Sequence, residues 1–358
     1  MAKVRLGFIG AGWWATANHM PLLATRDDVE FVAVCRLGKG ELQQVKERFG
    51  IRFATESAEE LVRQPLDAVV VTSPHTLHFE HAKLGLERGL HVMCDKPMCT
   101  SGPHARELVR LAREKNLHLL VPYGWHYKEF VQTAKRWMDA GAVGRVQHVL
   151  CHMASPIRDL LQGKKFLTEG NSGQAGGVMF EPDPKTWADP QVAGGGYAHA
   201  QLSHATGMLV WLTGLNPQSV FAFMSAPAAS VELYDAISVR FEGGAIGTIS
   251  GAGTTPPSGM SGYQVDLRIF GDAGVLLLDL ERARLELRRH DGENEKLDLP
   301  ADAGAYECAG PPHNFIDLIV GKTTVNFAPG EAAMRSVLLL DAAYRSAATG
   351  RVTAIDQL

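Results

Sequence analysis

Three short segments combine residue types that can act together at a redox site. Gly10-Ala11-Gly12-Trp13-Trp14-Ala15 fits the pattern G-x-G-x-x-A of loops that hold the pyrophosphate of a dinucleotide. Ser73-Pro74-His75-Thr76-Leu77-His78 and Asp95-Lys96-Pro97 each follow a strand-like run. A lysine there can hold a substrate oxygen by a charge-assisted hydrogen bond, and a histidine can exchange a proton near neutral pH. The three segments therefore predict a dinucleotide beside a polar reacting centre.

The glycine-rich loop has the context that its motif requires, because it follows a strand and opens a helix. Gly10 permits the tight turn, Gly12 lets the backbone approach a pyrophosphate, and Ala15 keeps the helix close to the strand. The helix N-terminus supplies N–H groups for the phosphates. The loop, including Trp13 and Trp14 between these positions, is predicted to bind the cofactor.

Arg36 ends the second strand-like run, where an NAD site usually carries Asp or Glu for the ribose hydroxyls. An arginine attracts the 2′-phosphate of NADP, whereas a carboxylate repels it. The sequence thus predicts NAD(P) binding with a preference for NADP. The alternative is that Arg36 stacks on adenine or faces solvent, which leaves NAD equally acceptable.

Ser73, Pro74, His75 and His78 follow the next strand-like run and are predicted to line the cofactor site. Pro74 suits a helix start because it needs no backbone N–H there. The two histidines then lie in the first helical turn, near the crevice. Alternatively, they are ordinary hydrogen-bonded residues of a helix start.

Asp95-Lys96-Pro97 follows the strand-like run at 90–94. Ligands of open parallel sheets bind at the carboxyl ends of the strands, so Lys96 and Asp95 are predicted at the mouth of the nucleotide crevice. Most lysines are solvated surface groups, and Lys96 taken alone would be interpreted as one of them. The glycine-rich loop upstream changes that interpretation.

Alternating strand and helix patterns fill the first third of the chain. Such alternation predicts one parallel sheet with right-handed crossovers and helices on both faces, a Rossmann-type doubly wound α/β domain. We place this dinucleotide-binding domain at residues 1–123. The predicted strands are 4–9, 31–35, 67–72, 90–94 and 117–121, and the predicted helices are 15–23, 40–49, 75–88 and 102–115.

Residues 124–358 predict an α+β domain for substrate binding and oligomerisation, with an open, mainly antiparallel sheet. Turn signals such as Glu242-Gly243-Gly244 separate strands that lie close enough in sequence for antiparallel pairing. A helix at about 330–347 is expected to pack back on the first domain. Residues 157–193 show no clear periodicity and precede a glycine-rich run, so a substrate lid is predicted there. The predicted strands are 146–153, 219–224, 236–241, 245–251, 263–270 and 274–280, after a helix at 128–139.

The composition argues against several classes of protein. The chain has 358 residues, 46% hydrophobic and 21% charged, with a net charge of −4, so no basic field favours nucleic acid or an anionic membrane. No apolar run reaches the length of a membrane span, and residues 1–5 leave no room for a signal peptide before the first strand. The five cysteines lack metal-type spacing, and His199 and His204 are five residues apart rather than four, so no metal is expected. We expect a cytoplasmic protein with free thiols.

Taken together, these segments resemble the Gfo/Idh/MocA family, named after glucose–fructose oxidoreductase and inositol dehydrogenase. The resemblance covers nearly the whole chain. It implies a Rossmann domain followed by an open-sheet domain, hydride chemistry at one secondary carbon of a sugar or polyol, and homodimers or homotetramers formed through the open sheet. In chain order, the matching parts are Gly10-x-Gly12-x-x-Ala15, Ser73-Pro74-His75-x-x-His78, Asp95-Lys96-Pro97, Gly194-Gly195-Gly196 before His204, and residues 344–348.

The same resemblance assigns two roles and exposes three departures. The lysine of the family's Glu-Lys-Pro contacts the reacting oxygen and corresponds to Lys96, preceded here by Asp95 instead of Glu. The family histidine corresponds to His204. The aspartate four residues before it is Ala200 here, and a common acid three residues after it is Gly207. Lys96 and His204 must therefore carry more of the proton chemistry, or another residue replaces the aspartate.

The predicted catalytic residues are His204, as proton acceptor and donor, and Lys96, as its electrostatic partner. Oxidation of an alcohol needs a base for the hydroxyl proton, and a nearby cation favours the developing alkoxide. The roles reverse if burial lowers the pKa of the lysine. His204 as an ordinary core histidine is the alternative. Gln201 only donates and accepts hydrogen bonds, so it is predicted to orient the substrate.

Six further residues are candidates for substrate binding. Tyr123 is a predicted substrate contact. Trp125 and His126, together with Tyr127, follow the last strand of the first domain and are predicted to stack on a sugar ring, with packing between domains as the alternative. Arg158 and Lys164 lie in the predicted lid and are candidates for an anionic group of the substrate. A solvated basic loop is the alternative for these two.

Three functions remain open from the sequence. The first is an NAD(P)-dependent dehydrogenase or reductase acting on a sugar, polyol, sugar acid or glycoside. The second, suggested by some relatives, is a glycoside hydrolase that oxidises a ring hydroxyl transiently, eliminates the aglycone, adds water and reduces again. The third is a sensor that binds nucleotide and sugar without turnover.

Overall fold

The computed structural model of the chain describes residues 3–165, 177–255 and 262–357. Two sheets organise these residues, one of six strands and one of nine. Within the described parts of the chain, no helix is long and apolar enough to cross a membrane.

The first sheet is wholly parallel, as predicted, with the strand order β3-β2-β1-β4-β5-β6. This order is that of dinucleotide-binding sheets, in which the strand sequence reverses beside β1. All four residues of β4 are buried, because helices cover both faces of the sheet. The strands are β1 (Val4–Ile9), β2 (Val29–Cys35), β3 (Phe53–Thr55), β4 (Ala68–Val71), β5 (His91–Cys94) and β6 (Leu119–Leu120).

Five helices connect these strands, and two of the predicted helices begin differently from the expectation. The helix predicted at 15–23 contains a π-helical turn, Ala15–His19, before its α-helical part. The helix predicted at 75–88 opens with a 3-10 turn, His75–Leu77. Strand β3 was not predicted, because its three residues are too few to show a period. The helices are α1 (Met20–Ala24), α2 (Lys39–Phe49), α3 (Ala58–Leu61), α4 (His78–Glu87) and α5 (Gly102–Glu114).

The second sheet is open and mainly antiparallel, which confirms the predicted fold class. Its order is β14-β13-β12-β11-β7-β10-β9-β8-β15, and among its described strands only β7 and β10 pair in parallel. Strands β13 to β15 were not predicted. The strands are β7 (Val146–Ala154), β8 (Pro217–Ser225), β9 (Tyr234–Phe241), β10 (Ile246–Ala252), β11 (Gln264–Gly271), β12 (Gly274–Asp279), β13 (Arg284–Arg289), β14 (Glu295–Lys296) and β15 (Thr353–Ala354).

Helices cover one face of this sheet and the region between the sheets. Residues 157–193, where no helix was predicted, form three short ones, with residues 166–176 outside the described residues. Thr76 Oγ1 donates to the carbonyl oxygen of Val192 at 2.9 Å, which fastens this region to the first domain. The helices are α6 (Glu129–Asp139), α7 (Arg158–Leu161), α8 (Pro184–Ala188), α9 (Pro190–Ala193), α10 (Ser203–Thr213), α11 (Gly310–Ile319) and α12 (Gly330–Thr349).

Helix α12 contributes side chains to the hydrophobic cores of both sheets. Ala333 lies in the core of the parallel sheet, whereas Leu339 lies in the core of the nine-stranded sheet. The Asp341 carboxylate accepts a hydrogen bond from the backbone N–H of Gly102, the first residue of α5, at 2.7 Å. Arg345 Nε donates to the same carboxylate at 2.8 Å, so the ion pair holds the acid in place.

Candidate active site

A cavity of about 600 Å³ opens at the carboxyl ends of the parallel strands. Residues that end β1, β2, β4 and β5 contribute to its wall, as the topology of open α/β sheets requires. Residues of the second domain close the other side. The wall contains these sequence-predicted site residues: Gly10, Gly12, Trp13, Trp14, Arg36, Ser73, Pro74, His75, His78, Asp95, Lys96, Trp125, Gln201 and His204.

The two glycines of the glycine-rich loop have different structural requirements. Gly10 has a φ of 92°, and a Cβ there would overlap the backbone nitrogen of Ser73. Gly12 has no heavy atom closer than 4.0 Å to the place of a Cβ, so its backbone borders open space in the cavity. Ala15 is buried beneath the loop, against the sheet. A backbone exposed beside a helix start is what a pyrophosphate needs, so these residues fit a dinucleotide.

Arg36 lies at the end of the cavity formed by β2. Its Nη1 donates to the carbonyl oxygen of Ala11 at 3.0 Å, and its guanidinium carbon lies 4.3 Å from the ring centroid of Phe180. Glu56 lines the same cavity and accepts a hydrogen bond from the backbone N–H of Gly38 at 2.8 Å. The guanidinium of Arg36 and the carboxylate of Glu56 therefore both lie near the position expected for the cofactor ribose.

His78 and His75 hold loops in place beside the cavity. The two ring nitrogens of His78 lie 2.7 Å from the carbonyl oxygen of Pro97 and 2.6 Å from that of Ser73, so the ring links the loops that follow β4 and β5. Burial lowers the pKa of His78, although these oxygens oppose the shift. His75 Nδ1 lies 3.1 Å from the carbonyl oxygen of Ala193, and burial keeps its pKa well below the ordinary value.

Lys96 is a buried amine with a main-chain acceptor. Its side chain is 9% exposed, and Nζ donates to the carbonyl oxygen of Ala200 at 2.6 Å. Burial lowers the pKa of Lys96, and the charge of Asp95 partly opposes that shift. Burial alone would raise the pKa of Asp95, but His19 and Lys96 hold it below the ordinary value. The lysine therefore reaches the cavity with two of its three N–H donors not committed to Ala200.

The helix that carries Gln201 and His204 begins on a buried carboxylate. Glu232 accepts hydrogen bonds from the backbone N–H groups of Gly196 at 2.7 Å and Ala198 at 3.0 Å. The hydroxyl of Tyr344 donates to it at 2.6 Å. A π-helical turn, Ala198–Leu202, then precedes α10. The acid satisfies N–H groups that a helix start would otherwise leave unpaired, so it fixes where the helix begins.

His204 is surrounded by aromatic rings and lies on the cavity wall. Its ring centroid is 5.4 Å from that of Trp125, 5.3 Å from Tyr306 and 6.0 Å from Tyr123. Burial and the charge of Lys96 keep the pKa of His204 well below the ordinary value, so the imidazole is neutral. Nδ1 is buried without a hydrogen-bond partner, which leaves Nε2 as the nitrogen that can meet a molecule in the cavity.

The structure gives a physical reason for one departure from the family pattern and places a main-chain group at another. A Cβ on Gly207 would lie 2.7 Å from Cζ of Tyr123, so the tyrosine ring fills the space of a side chain at that position. At Ala200 the carboxylate is missing, but the main-chain oxygen of the same residue receives the lysine N–H.

Five predicted substrate-binding residues lie away from the cavity wall. Tyr123 is 1% exposed and packs beneath His204, and His126 is fully buried with its ring stacked on Trp211. The short 3-10 turn Gly124–Tyr127 directs only Trp125 from this segment to the cavity. Arg158 and Lys164 are exposed and lie near Asp159. These five residues, including Tyr127, do not join the other candidates, because folding directs them into the interior or to the surface.

Several aromatic wall residues were missed by the sequence reasoning. Phe180 and Trp187 come from the predicted lid, and Tyr263 and Tyr306 come from distant loops. The Trp187 ring centroid lies 5.9 Å from Nζ of Lys96. Aromatic residues in a segment without periodicity were a usable signal for Phe180 and Trp187, whereas the two tyrosines had none. Among the described residues, no group of three or more His, Cys, Asp or Glu could hold a metal ion.

Comparison with known proteins identifies the family to which the chain belongs. Residues 4–123 match the model of an oxidoreductase family with an NAD-binding Rossmann fold, and residues 131–277 match the model of the GFO/IDH/MocA C-terminal domain. A solved levoglucosan dehydrogenase in complex with NADH superimposes with a TM-score of 0.75 at 19% identity, covering 99% of both chains, which shows the shared fold. The fold and site thus define a dinucleotide-binding oxidoreductase. With both domain models matched in order, the chain belongs to the Gfo/Idh/MocA family.

Two curated relatives illustrate the range of that family. A D-glucoside 3-dehydrogenase of Escherichia coli is 34% identical over 148 residues, which are 40% of this chain and 42% of that protein. An NADP-dependent scyllo-inositol 2-dehydrogenase of Bacillus subtilis is 24% identical over 269 residues, 73% of this chain and 66% of that protein. The matched segments thus span between about two fifths and two thirds of these relatives.

Proposed function

We propose that the chain is an NAD(P)-dependent dehydrogenase or reductase that interconverts a secondary hydroxyl and a ketone on a sugar, polyol, sugar acid or glycoside. One observation carries this proposal: the glycine-rich loop, Lys96 and His204 line one and the same cavity. The relatives named above, which act on a glucoside and on an inositol, support the substrate range.

The roles of the residues follow from their environments. The glycine-rich loop and Arg36 would hold NAD(P), which supplies or accepts the hydride when bound. Lys96 would donate N–H groups to the reacting oxygen and stabilise negative charge there. The neutral imidazole of His204 can accept the hydroxyl proton at Nε2 and return it in the reverse reaction. Gln201, also on the wall, would orient a second substrate oxygen.

The first test is a screen of sugars, inositols and glycosides with both cofactors, followed by change in reduced-cofactor absorbance. Lys96→Ala is expected to abolish turnover while cofactor binding, measured by fluorescence titration, survives. His204→Ala is expected to lower kcat by about 10² to 10⁴-fold, the usual worth of a positioned acid or base. Lys135→Ala, on α6 and outside the cavity wall, is the matched control and should keep full activity.

Three outcomes would contradict this assignment. Normal turnover of Lys96→Ala would remove the lysine from the chemistry. Release of an aglycone without net formation of reduced cofactor would replace the dehydrogenase by the hydrolase that cycles its cofactor. Binding of sugar and cofactor without any turnover would favour a sensor.

For the cofactor, we propose a preference for NADP on account of Arg36. A guanidinium at the end of β2 suits a 2′-phosphate, whereas Glu56 nearby suits free ribose hydroxyls. Arg36→Gln should therefore raise the KM for NADP and leave the KM for NAD nearly unchanged. Glu56→Gln is the matched variant, and it should affect NAD more than NADP. Equal kcat/KM for the two cofactors in the unaltered protein would contradict the preference.

For the assembly, we propose a homodimer or homotetramer formed through the open face of the nine-stranded sheet. Phe223, Tyr234 and Ile246 on β8, β9 and β10 are 68%, 38% and 50% exposed. Exposed apolar patches on one sheet face commonly mark an interface. Sedimentation analysis should show an oligomer that Phe223→Asp shifts toward the monomer. A monomer at micromolar concentration in the unaltered protein would refute this assembly.

A further inference from the structure

The wall of the cavity near Lys96 and His204 is built mainly from aromatic rings. We name Trp125, Trp187, Tyr263 and Tyr306 the aromatic wall. The Trp125 ring lies 4.8 Å from that of Tyr306 and 5.7 Å from that of Tyr263, measured between centroids. Ile157 and Leu160 of the α7 region extend this apolar surface.

The polar atoms of two of these rings are occupied within the protein. Trp125 Nε1 donates to the carbonyl oxygen of Gly304 at 3.0 Å. The Tyr306 hydroxyl accepts from the N–H of Gly124 and donates to the carbonyl oxygen of Pro122, each at 3.3 Å. These residues therefore present ring surface, rather than hydrogen-bonding groups, to a molecule in the cavity.

The carboxylates on the cavity wall are also engaged. Hydroxyl-rich ligands are commonly held by such groups, because a carboxylate accepts several hydrogen bonds. Here each carboxylate already accepts at least one hydrogen bond or forms an ion pair within the protein, which leaves fewer acceptor positions for a substrate: Glu56 with Gly38 N–H, Asp95 with Lys96 N–H, Glu181 with Lys165 Nζ and Asp183 with Lys185 N–H. Glu56 in addition lies near the expected cofactor ribose, away from the reacting oxygen. Among the described residues, the polar side chains around the reacting centre include Lys96, His204, Gln201 and Thr186, besides the hydroxyl of Tyr263.

We propose that the substrate is a sugar or cyclic polyol ring that carries an apolar group, such as a glycoside with an aryl or alkyl aglycone. This inference rests on the proposed dehydrogenase function and narrows its substrate. Lys96 and His204 bind the reacting oxygen and Gln201 a second one. A further hydroxyl pressed against the aromatic wall would lose its hydrogen bonds to water without replacement, whereas an apolar aglycone gains by burial there.

Trp187 is the residue of the aromatic wall whose replacement should disturb the fold least. Its side chain is partly exposed, it belongs to the short helix α8, and its ring is directed toward Lys96. It can therefore be altered without opening the core, unlike the fully buried residues below it.

The test compares matched pairs of substrates in the unaltered protein. Glucose, galactose and xylose are each supplied free and as the methyl and phenyl β-glycosides, and kcat/KM is measured from initial rates with NAD and NADP. For the sugar that is turned over, the kcat/KM of the phenyl glycoside should exceed that of the free sugar by at least about tenfold. This is the discrimination that a small apolar group gives in a fitted pocket. Trp187→Ala should reduce that ratio by about tenfold or more, and Trp187→Phe should keep most of it.

The outcomes separate this inference from the proposed function. A free sugar turned over as well as its phenyl glycoside would overturn the substrate class while the dehydrogenase stands. An unchanged ratio in Trp187→Ala, with cofactor binding intact, would also overturn the assignment to this wall. Turnover of an inositol or another free polyol in the first screen, with none in this panel, would overturn the substrate class alone. Absence of cofactor reduction or oxidation with this panel and with every compound of the first screen would overturn the dehydrogenase and the substrate class together.

Discussion

Replacement of His126 by phenylalanine should make the stability of the protein less dependent on pH. The imidazole is fully buried, stacks on Trp211 with ring centroids 4.3 Å apart, and donates from Nδ1 to the carbonyl oxygen of Phe327 at 2.8 Å. Burial lowers the pKa of His126 to about 3, and only the hydrogen bond to Phe327 opposes the shift. Phenylalanine keeps the stacking surface and removes the titrating group.

The sign and size of the effect follow from proton linkage. A histidine in the unfolded chain has a pKa of about 6.5, so it takes up a proton as the pH falls, whereas the folded ring remains neutral until about pH 3. The unfolded state therefore binds more protons below pH 6.5, and the free energy of unfolding falls as the pH falls. Between about pH 7.5 and pH 5, His126 alone should lower it by about 2 kcal/mol.

Urea denaturation of the unaltered protein and His126→Phe at both pH values measures this difference. At pH 7.5 the variant should be less stable by about 1 kcal/mol, because the Phe327 carbonyl loses its donor. On going to pH 5 the variant should lose about 2 kcal/mol less than the unaltered protein, so the order of stabilities reverses. Equal losses in the two proteins would refute the buried, neutral state of His126. The difference between the two proteins cancels the other titrating groups, including buried acids that shift the opposite way.

Substitutions at four further residues test the backbone that positions the site. Gly10→Ala should unfold or strongly destabilise the protein. Gly12→Ala should leave the urea midpoint nearly unchanged but weaken cofactor binding in a fluorescence titration. Equal effects of the two substitutions would contradict the roles given to the two glycines. Gly207→Asp should lower the free energy of unfolding by about 1–3 kcal/mol through overlap with Tyr123, and a gain in turnover would refute that steric account. Glu232→Ala removes the acceptor of three hydrogen bonds and should destabilise the protein by at least about 3 kcal/mol in urea, and Glu232→Gln by less.

The architecture was predictable because its signals are local and repeated. The run at 68–71 is continuously apolar, which marks a strand buried on both faces. Where the sequence signal for an element was weak, the element was not predicted, and each case has a physical reason. Helix α11 begins with Gly310 and two prolines, which suggest a loop, yet prolines are tolerated in a first helical turn. The π-helical turns in the helices that follow residues 14 and 197 were not predicted, because every residue of both turns is buried and no exposed face reveals the shift in helical phase.

The same distinction between local and remote signals decides which site residues were predictable. Gly10, Gly12 and Lys96 were found because their function depends on spacing within one short motif. Tyr306 was not found, because it lies about a hundred residues beyond His204 and reaches it only through the tertiary fold. His126 was predicted at the cavity from its position after β6, but two residues of a 3-10 turn suffice to direct a side chain inward.

The position of α12 has a consequence for how the molecule comes apart. Proteins with two separate cores often unfold in two steps, one domain at a time. Here the same helix supplies Ala333 to one core and Leu339 to the other, and its Asp341 satisfies the start of α5. If either core unfolded, α12 would lose half of its packing, and the side chains that had packed against that core would become exposed. Heat should therefore melt both sheets in a single cooperative transition, with cofactor bound in the first domain stabilising the second to the same degree.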